Sequence, residues 1–315
     1  MIQRDVVVIG GSLAGAACVR ELTRLGIDAV ALERDRFPRH KVCGGFLSPG
    51  ALECLRTLAV LDDVRRAGAV QVNSANVRAR ATEVEIVFER PGMGISRSTL
   101  DDILARSAAV IQGHNVRDVR RLDSGFVVDE IGCRVVIDAA GKLSRFTKRL
   151  AVEEFGIQYF ENGSRGSILD FWFHDDAYGG GVSVEGGRSN WSFLVKKDAL
   201  KRYRDRADTL VTGPLGYEKI PGDFIAIGDA AGMVDPFCGE GMRHALETGI
   251  LAAHVVAGGI RRKAAYREMK YEYESQWQRR WAIRRELGAL LRRFRKWAGP
   301  ALRVAPPRVI NRLWD

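Results

Sequence analysis

The sequence predicts an α/β fold in which a parallel-sheet domain interleaves with a small antiparallel-sheet domain and ends in a basic helical tail. Three observations predict it. A strand, a glycine turn, a helix and a second strand follow one another over residues 5–33. A second strand, glycine loop and helix lie far downstream, over 223–256. Between them runs a glycine-rich, aromatic stretch of strand character, 155–196.

In chain order, residues 5–10 (DVVVIG) are a short β-branched run that reads as a buried parallel strand. Residues 13–25 have helical spacing, and Gly26 stands where a helix stops. Residues 29–33 (AVALE) complete a βαβ unit. Ser48 and Pro49 suit the cap and first position of a helix entered from a loop. Two strand-like stretches within 70–89 suit an antiparallel pair, and 97–109 return to helical spacing. Short strands are expected at 115–119, 126–129 and 134–138. Residues 155–196 read as an antiparallel sheet, 223–228 as a late buried strand and 239–256 as a helix. The first domain is thus expected to take residues 1–69, 97–150 and 217–260, the sheet domain 70–96 and 151–216, and the tail 261–315.

The 315 residues are 46% hydrophobic, enough for a packed core. No apolar run approaches the ~18 residues that span a bilayer. The N-terminus enters a strand without a signal-peptide pattern. The five cysteines are odd in number and scattered, which argues against a disulfide framework and against a metal site and favours a reducing, cytoplasmic setting. Charge is uneven. Residues 261–315 carry 16 Lys or Arg against 5 Asp or Glu, a net of +11, while the preceding 260 residues net −1. Any attraction to an anionic surface therefore belongs to the tail.

The first turn, Gly10-Gly11-Ser12-Leu13-Ala14-Gly15, is G-x-G-x-x-G with serine in the second glycine place. Gly10 suits the tight turn, Gly15 close packing of helix on strand, and the helix N-terminus faces a pyrophosphate. Glu33, ending the second strand and followed by Arg34, is placed to accept from ribose hydroxyls. The downstream segment, Gly228-Asp229 and then Pro236 to Gly239, Gly241 and Met242, supplies a second set. Asp229 suits a ribitol hydroxyl, and the 239–242 helix entry suits a flavin edge that gains negative charge on reduction. Together the two segments read as a site for FAD.

In motif order and spacing the chain resembles the glutathione-reductase-type FAD superfamily, in the branch of geranylgeranyl reductases, flavin hydroxylases and flavin-dependent halogenases. The likeness spans residue 5 to about 253. It implies a Rossmann-like FAD-binding domain of the GR2 type. The segment 38–45 (PRHKVCGG) is similar to the basic-x-Cys-Gly-Gly stretch that geranylgeranyl reductases hold against the flavin, which implies roles for Lys41 and Cys43. By the same resemblance Arg97 lies near the cofactor and Val116 on the strand that meets the adenine. Gly141 falls in the place of the hydroxylases' Asp-Gly motif, where Ala140 replaces the aspartate. Halogenase motifs are missing, and of the reductases' substrate motif only Tyr178 remains.

Cys43 is the candidate catalytic residue. Its basic neighbours favour a thiolate; as a thiol close to the flavin it is a candidate proton donor to substrate carbon, and the alternative is plain packing against the ring. Phe171, Trp172, Tyr178, Trp191 and Phe193 are candidates to line a substrate cavity or to form core. His244 and His254 have no acidic or cysteine partners in sequence and are not expected to be ligands; no metal is expected. The leading expectation is an FAD-dependent oxidoreductase reducing carbon–carbon double bonds of a small hydrophobic substrate. An FAD-dependent monooxygenase using oxygen and NAD(P)H, the latter as a transient donor, is the enzyme alternative. A non-catalytic FAD-binding, membrane-associated partner is the alternative of another class. In the tail, Trp277, Trp281, Leu287, Leu291, Phe294 and Ala298 recur at helical spacing among arginines. This suits either packing on the first domain or a peripheral position on an anionic membrane; nucleic acid is not expected, as no recognition motif accompanies the charge.

Overall fold

A computed structural model describes residues 2–293 except 80–81, 150–153, 175, 205, 216–218, 221 and 235–238. The N-terminal unit is β1 (Ile2–Ile9), α1 (Leu13–Arg24) and β2 (Ala29–Glu33). Then come β3 (Phe46–Leu47), α2 (Pro49–Thr57), α3 (Leu61–Arg66), the hairpin β4 (Val70–Ala79) and β5 (Thr82–Gly94), and α4 (Arg97–Arg106). The chain returns through β6 (Val110–Gln112), β7 (Val119–Leu122), β8 (Gly125–Val128), β9 (Ile131–Asp138) and β10 (Lys148–Arg149). It leaves again through β11 (Glu154–Asn162), β12 (Ile168–Phe173), β13 (Ala177–Val184), β14 (Arg188–Lys196), α5 (Leu200–Tyr203) and β15 (Leu210–Thr212). It closes with β16 (Lys219–Ile220), β17 (Ile225–Ala226), α6 (Gly241–Arg261) and α7 (Tyr266–Arg293).

The first sheet runs β6-β2-β1-β9-β8-β7, with β17 also paired to β9. β1 pairs in parallel with β2 and β9, so Val6 stands between Ala29 and Val135. Alternation along β1 sends Val6 and Val8 to a core under α1 and α6, and Val7 and Ile9 to the opposite core. Both faces are covered, which is why the strand reads as an unbroken apolar run.

The second sheet runs β15-β11-β14-β13-β12-β4-β5-β3. Most of its pairs are antiparallel, but β12 lies parallel to β4, with Asp170 opposite Asn76. That pairing joins the β4–β5 hairpin to the later strands in one sheet, a union of segments far apart in the chain.

Three expected elements shift. The 115–119 strand does not form; β6 starts earlier, directly after α4, and β7 begins only at Val119. Side-chain bonds replace a ladder there, since the Asp129 carboxylate accepts from the amides of Arg117 (3.0 Å) and Asp118 (2.9 Å). The late strand narrows to β17, and α6 starts at Gly241.

The tail helix packs. Met269, Tyr273, Trp277 and Trp281 recur at helical spacing toward α6, and Trp281 is wholly buried. The Trp277 indole N–H donates to His244 Nε2 at 3.1 Å, and the Trp281 and His244 rings meet edge-on at 4.6 Å. The packing alternative therefore holds for these two tryptophans, which do not face outward. The Leu287 and Leu291 side chains, Phe294 and Ala298 lie outside the described residues. His254, expected to lack an acidic partner, pairs with the buried carboxylate of Glu21 at 2.8 Å, one turn of α6 lying against α1. Among the described residues no helix is long and apolar enough to cross a membrane, and no group of three His, Cys, Asp or Glu is placed to hold a metal.

Candidate functional site

The glycine turn closes on itself. Gly10 has φ +104°, and a Cβ there would lie 2.4 Å from the Ala139 carbonyl oxygen. A Cβ on Gly15 would lie 1.8 Å from the Gly10 oxygen, so helix and strand meet with no room for a side chain. Glu33, at the end of β2, is buried and folds over the turn. Its carboxylate accepts from the Gly11 amide (2.8 Å) and the Asp35 amide (3.0 Å).

Ser12 is the N-cap of α1, yet its side chain makes no cap bond. Its hydroxyl instead donates to Asp101 (3.1 Å) and accepts from Arg97 Nη2 (2.8 Å). The amides of the first helical turn thus stay open to an anion. Arg97 and Asp101 are one turn apart on α4, both buried, with Nη2–Oδ1 at 2.9 Å. Burial opposes the Arg97 charge, but Asp101 and then Cys43 outweigh it and hold the guanidinium above its usual range. Lys41 stands nearby, with no such ion pair among the described residues. Burial pushes its ammonium down, Arg97 adds to that, and Asp229 and Asp101 pull the other way.

The downstream segment meets the first turn. The Gly228 amide donates to Thr248 Oγ1 of α6 at 2.9 Å, and a Cβ on Gly228 would lie 2.9 Å from that of Ala14. Gly239 has φ +65°, and α6 opens at Gly241 with Met242 buried. Pro236 lies outside the described residues, as does Cys238. Beside Gly141, Asp138 at the end of β9 accepts from the Ala140 amide (3.0 Å) and the Ser144 hydroxyl (2.6 Å), fixing the turn.

These segments and the second sheet enclose a cavity of about 250 Å³. Ser12, Leu13, Ala14, Lys41, Cys43 and Arg97 border it on one side. Gly141, Gly228, Asp229, Gly239, Gly241 and Met242 border it from the late segments. Gly10, Gly11, Gly15, Glu33, Arg34 and Val116 do not. The glycines and Glu33 form the adjoining turn. Arg34 is exposed beside Asp35, and Val116 is buried in the core under the other face of the first sheet, since the strand expected to carry it does not form.

Of the five aromatic candidates the structure divides two from three. Leu169, Phe171, Tyr178 and Leu194 share the face turned to the cavity. Trp172 and Trp191 fall on the opposite face, 5.1 Å apart beneath α5, and do not border the cavity. Phe193 borders it, yet its ring stacks on Trp191 (interplanar angle 1°). The period of two explains the correction: side chains one residue apart point to opposite faces.

Sequence reasoning missed Asp101, Asp138, Gln158 and Asn190. Asp101 carries a signal, its i+4 spacing from Arg97. Asp138 carries a local one too, two residues before Ala140, whereas Gln158 and Asn190 become meaningful only once the second sheet meets the Cys43 segment.

Residues 3–146 match the family described as FAD binding domain. By this match residues 3–146 form an FAD-binding domain, and the chain as a whole is similar to FAD-dependent oxidoreductases. Menaquinone reductase of Mycolicibacterium smegmatis is 28% identical over 317 residues, covering 81% of this chain and 76% of that protein. Digeranylgeranylglycerophospholipid reductase 3 of Methanosphaera stadtmanae is 25% identical over 321 residues, covering 85% and 81%. A solved flavin-dependent brominase superposes with a TM-score of 0.82 at 20% identity, covering 99% of this chain and 94% of that one, a likeness of fold. FAD fits the residues this chain presents: a glycine cradle that any Cβ would fill, uncapped helix amides, and the buried Arg97 guanidinium beside them.

Proposed function

We propose that this oxidoreductase reduces carbon–carbon double bonds of a small hydrophobic substrate of prenyl or polyketide-like character. The observation that carries the reading is the cavity itself. The Cys43-Gly44-Gly45 segment walls it on one side, and Leu169, Phe171, Tyr178 and Leu194 offer an apolar face on the other. The names of the menaquinone and digeranylgeranylglycerophospholipid reductases support the same class of substrate. FAD, once bound and reduced, would supply the hydride to one carbon. The chain's part is to hold the cofactor between Ser12, Arg97 and the α6 entry, to exclude water with the aromatic face, and to give a proton from Cys43 to the second carbon, recovering it from solvent. NAD(P)H is the proposed donor.

The test starts from the visible spectrum. A colourless protein that takes up no FAD would overturn the reading at once. Anaerobic bleaching by NADPH, reversed by an unsaturated isoprenoid, is the expected result. Oxygen consumption coupled to an oxygenated product would install the monooxygenase in its place, and FAD bound without either response would leave a binding role. The substrate is proposed to come from an anionic membrane surface through the +11 tail. Sedimentation with phosphatidylglycerol vesicles that is unchanged when the arginines and lysines of 261–315 are replaced by glutamine would defeat that part.

A further inference from the structure

Gln158 on β11 and Asn190 on β14 are buried polar side chains on the inner face of the second sheet, 1% and 0% exposed. Phe160, not Gln158, is directly opposite Asn190, so the two amides meet on the diagonal of the ladder. They form a closed ring with the backbone N–H and C=O of one residue, Cys43, of the distant Cys-Gly-Gly segment. The Cys43 N–H donates to Gln158 Oε1 at 3.2 Å, Gln158 Nε2 donates to Asn190 Oδ1 at 2.6 Å, and Asn190 Nδ2 donates to the Cys43 carbonyl at 2.9 Å. The donor and the acceptor that flank the Cys43 Cα are both held, which fixes the backbone angles that aim its thiol. Each amide must use its oxygen on one partner and its nitrogen on the other, so a carboxylate, which only accepts, cannot substitute. The segment is shaped to receive the ring. Gly45 has φ +75°, and a Cβ on it would lie 2.8 Å from Asn190 Nδ2.

Buried amides destabilise a core unless every group is satisfied, and a satisfied ring specifies one geometry. We infer that Gln158 and Asn190 are positioning residues that set Cys43 against the cavity and tie its orientation to the substrate sheet. This deepens the reading above, since it takes Cys43 to face the reacting ring.

The experiment reads Cys43 alkylation by iodoacetamide, followed by mass spectrometry of its peptide, in full-length protein with and without FAD. The flavin visible spectrum and the melting temperature are recorded alongside. N190D sets an oxygen against the Cys43 carbonyl and is expected to change the alkylation rate roughly tenfold and to shift the flavin bands. Q158E keeps the acceptor for the Cys43 amide, so it should give a smaller change in the same direction and serves if N190D fails to fold. W172F, on the outer face, should lower melting while leaving the Cys43 rate unchanged. An N190D or Q158E protein that melts early but keeps the wild-type rate and spectrum would reduce the ring to plain structural support and overturn the inference. Were the wild type to bind no FAD, the proposed function would fall, while the FAD-free alkylation rates would still decide the inference.

Discussion

The two walls of the cavity differ in what they present. On the wall made by the first turn and the late segments, Gly141, Gly228, Gly239 and Gly241 bring backbone to the cavity, with Gly10, Gly11 and Gly15 packed tightly behind. The polar side chains that enter include Ser12 and Arg97, tied to Asp101. On the sheet wall, side chains do the lining, and strand alternation decides which ones: Phe171 and Tyr178 face in, while Trp172 faces out. A backbone wall tolerates almost no substitution, because its shape comes from missing atoms. A side-chain wall accepts exchange on the inner face at the cost of fit, and on the outer face at the cost of stability alone.

The harshest way to break this contrast is G15A. Its Cβ would lie 1.8 Å from the Gly10 oxygen, which is backbone and cannot yield, so α1 must lift from β1. Loss of all flavin absorbance after purification with excess FAD is expected. Full flavin content would mean that the turn is not the cradle described. Next comes R97A, which leaves the buried Asp101 carboxylate with only the Ser12 hydroxyl and the more distant Arg39, 4.0 Å away, and should cost about 3 kcal/mol by urea denaturation. R97A/D101A should recover most of that loss; if it recovers none, Arg97 stabilises through packing and not through its charge. On the sheet wall, F171A is expected to raise KM for an apolar substrate about tenfold, and W172A to leave KM alone while lowering stability by about 2 kcal/mol. Equal effects on KM would erase the distinction between faces.

The same contrast explains what was legible in the sequence. The βαβ unit was, because strand, turn and acid lie within thirty-odd contiguous residues and each obeys a local rule: β1, α1 and β2 fall where the periodicity puts them. Cys43 was singled out for the same local reason. The parallel β12–β4 pairing was not, since nothing local joins residue 170 to residue 76. Nor was the division of the aromatics, because alternation gives two faces and only the apposed domain says which is inner. Gln158 and Asn190 read as ordinary strand polars until the Cys43 peptide is seen between them. The missing strand at Val116 has a different cause: Asp129 satisfies the amides that a ladder would have used.

The smallest effect sits where the two walls are tied together at Glu185, in the turn after β13. Its carboxylate accepts from the Ser96 amide at 2.9 Å, from Thr99 Oγ1 at 2.6 Å and from the Ser96 hydroxyl, all at the N-terminus of α4. That helix carries Arg97, so a sheet residue caps the helix that lines the opposite wall. Burial raises the Glu185 pKa, but the bonds from Ser96 and Thr99 outweigh it and hold the carboxyl below its ordinary 4.5. A depressed folded value means that the unfolded chain binds the proton first as pH falls. The stabilisation is therefore complete above about pH 4.5 and is lost as pH drops through the lower folded value. E185Q keeps an acceptor but loses the charge, so it should be less stable by about 1 kcal/mol at pH 7. The gap between the two proteins should close as pH is lowered below 4.5 in urea titrations. A gap that stays constant with pH would show that the cap acts through its shape, and that the tie between the walls carries no charge-dependent strength.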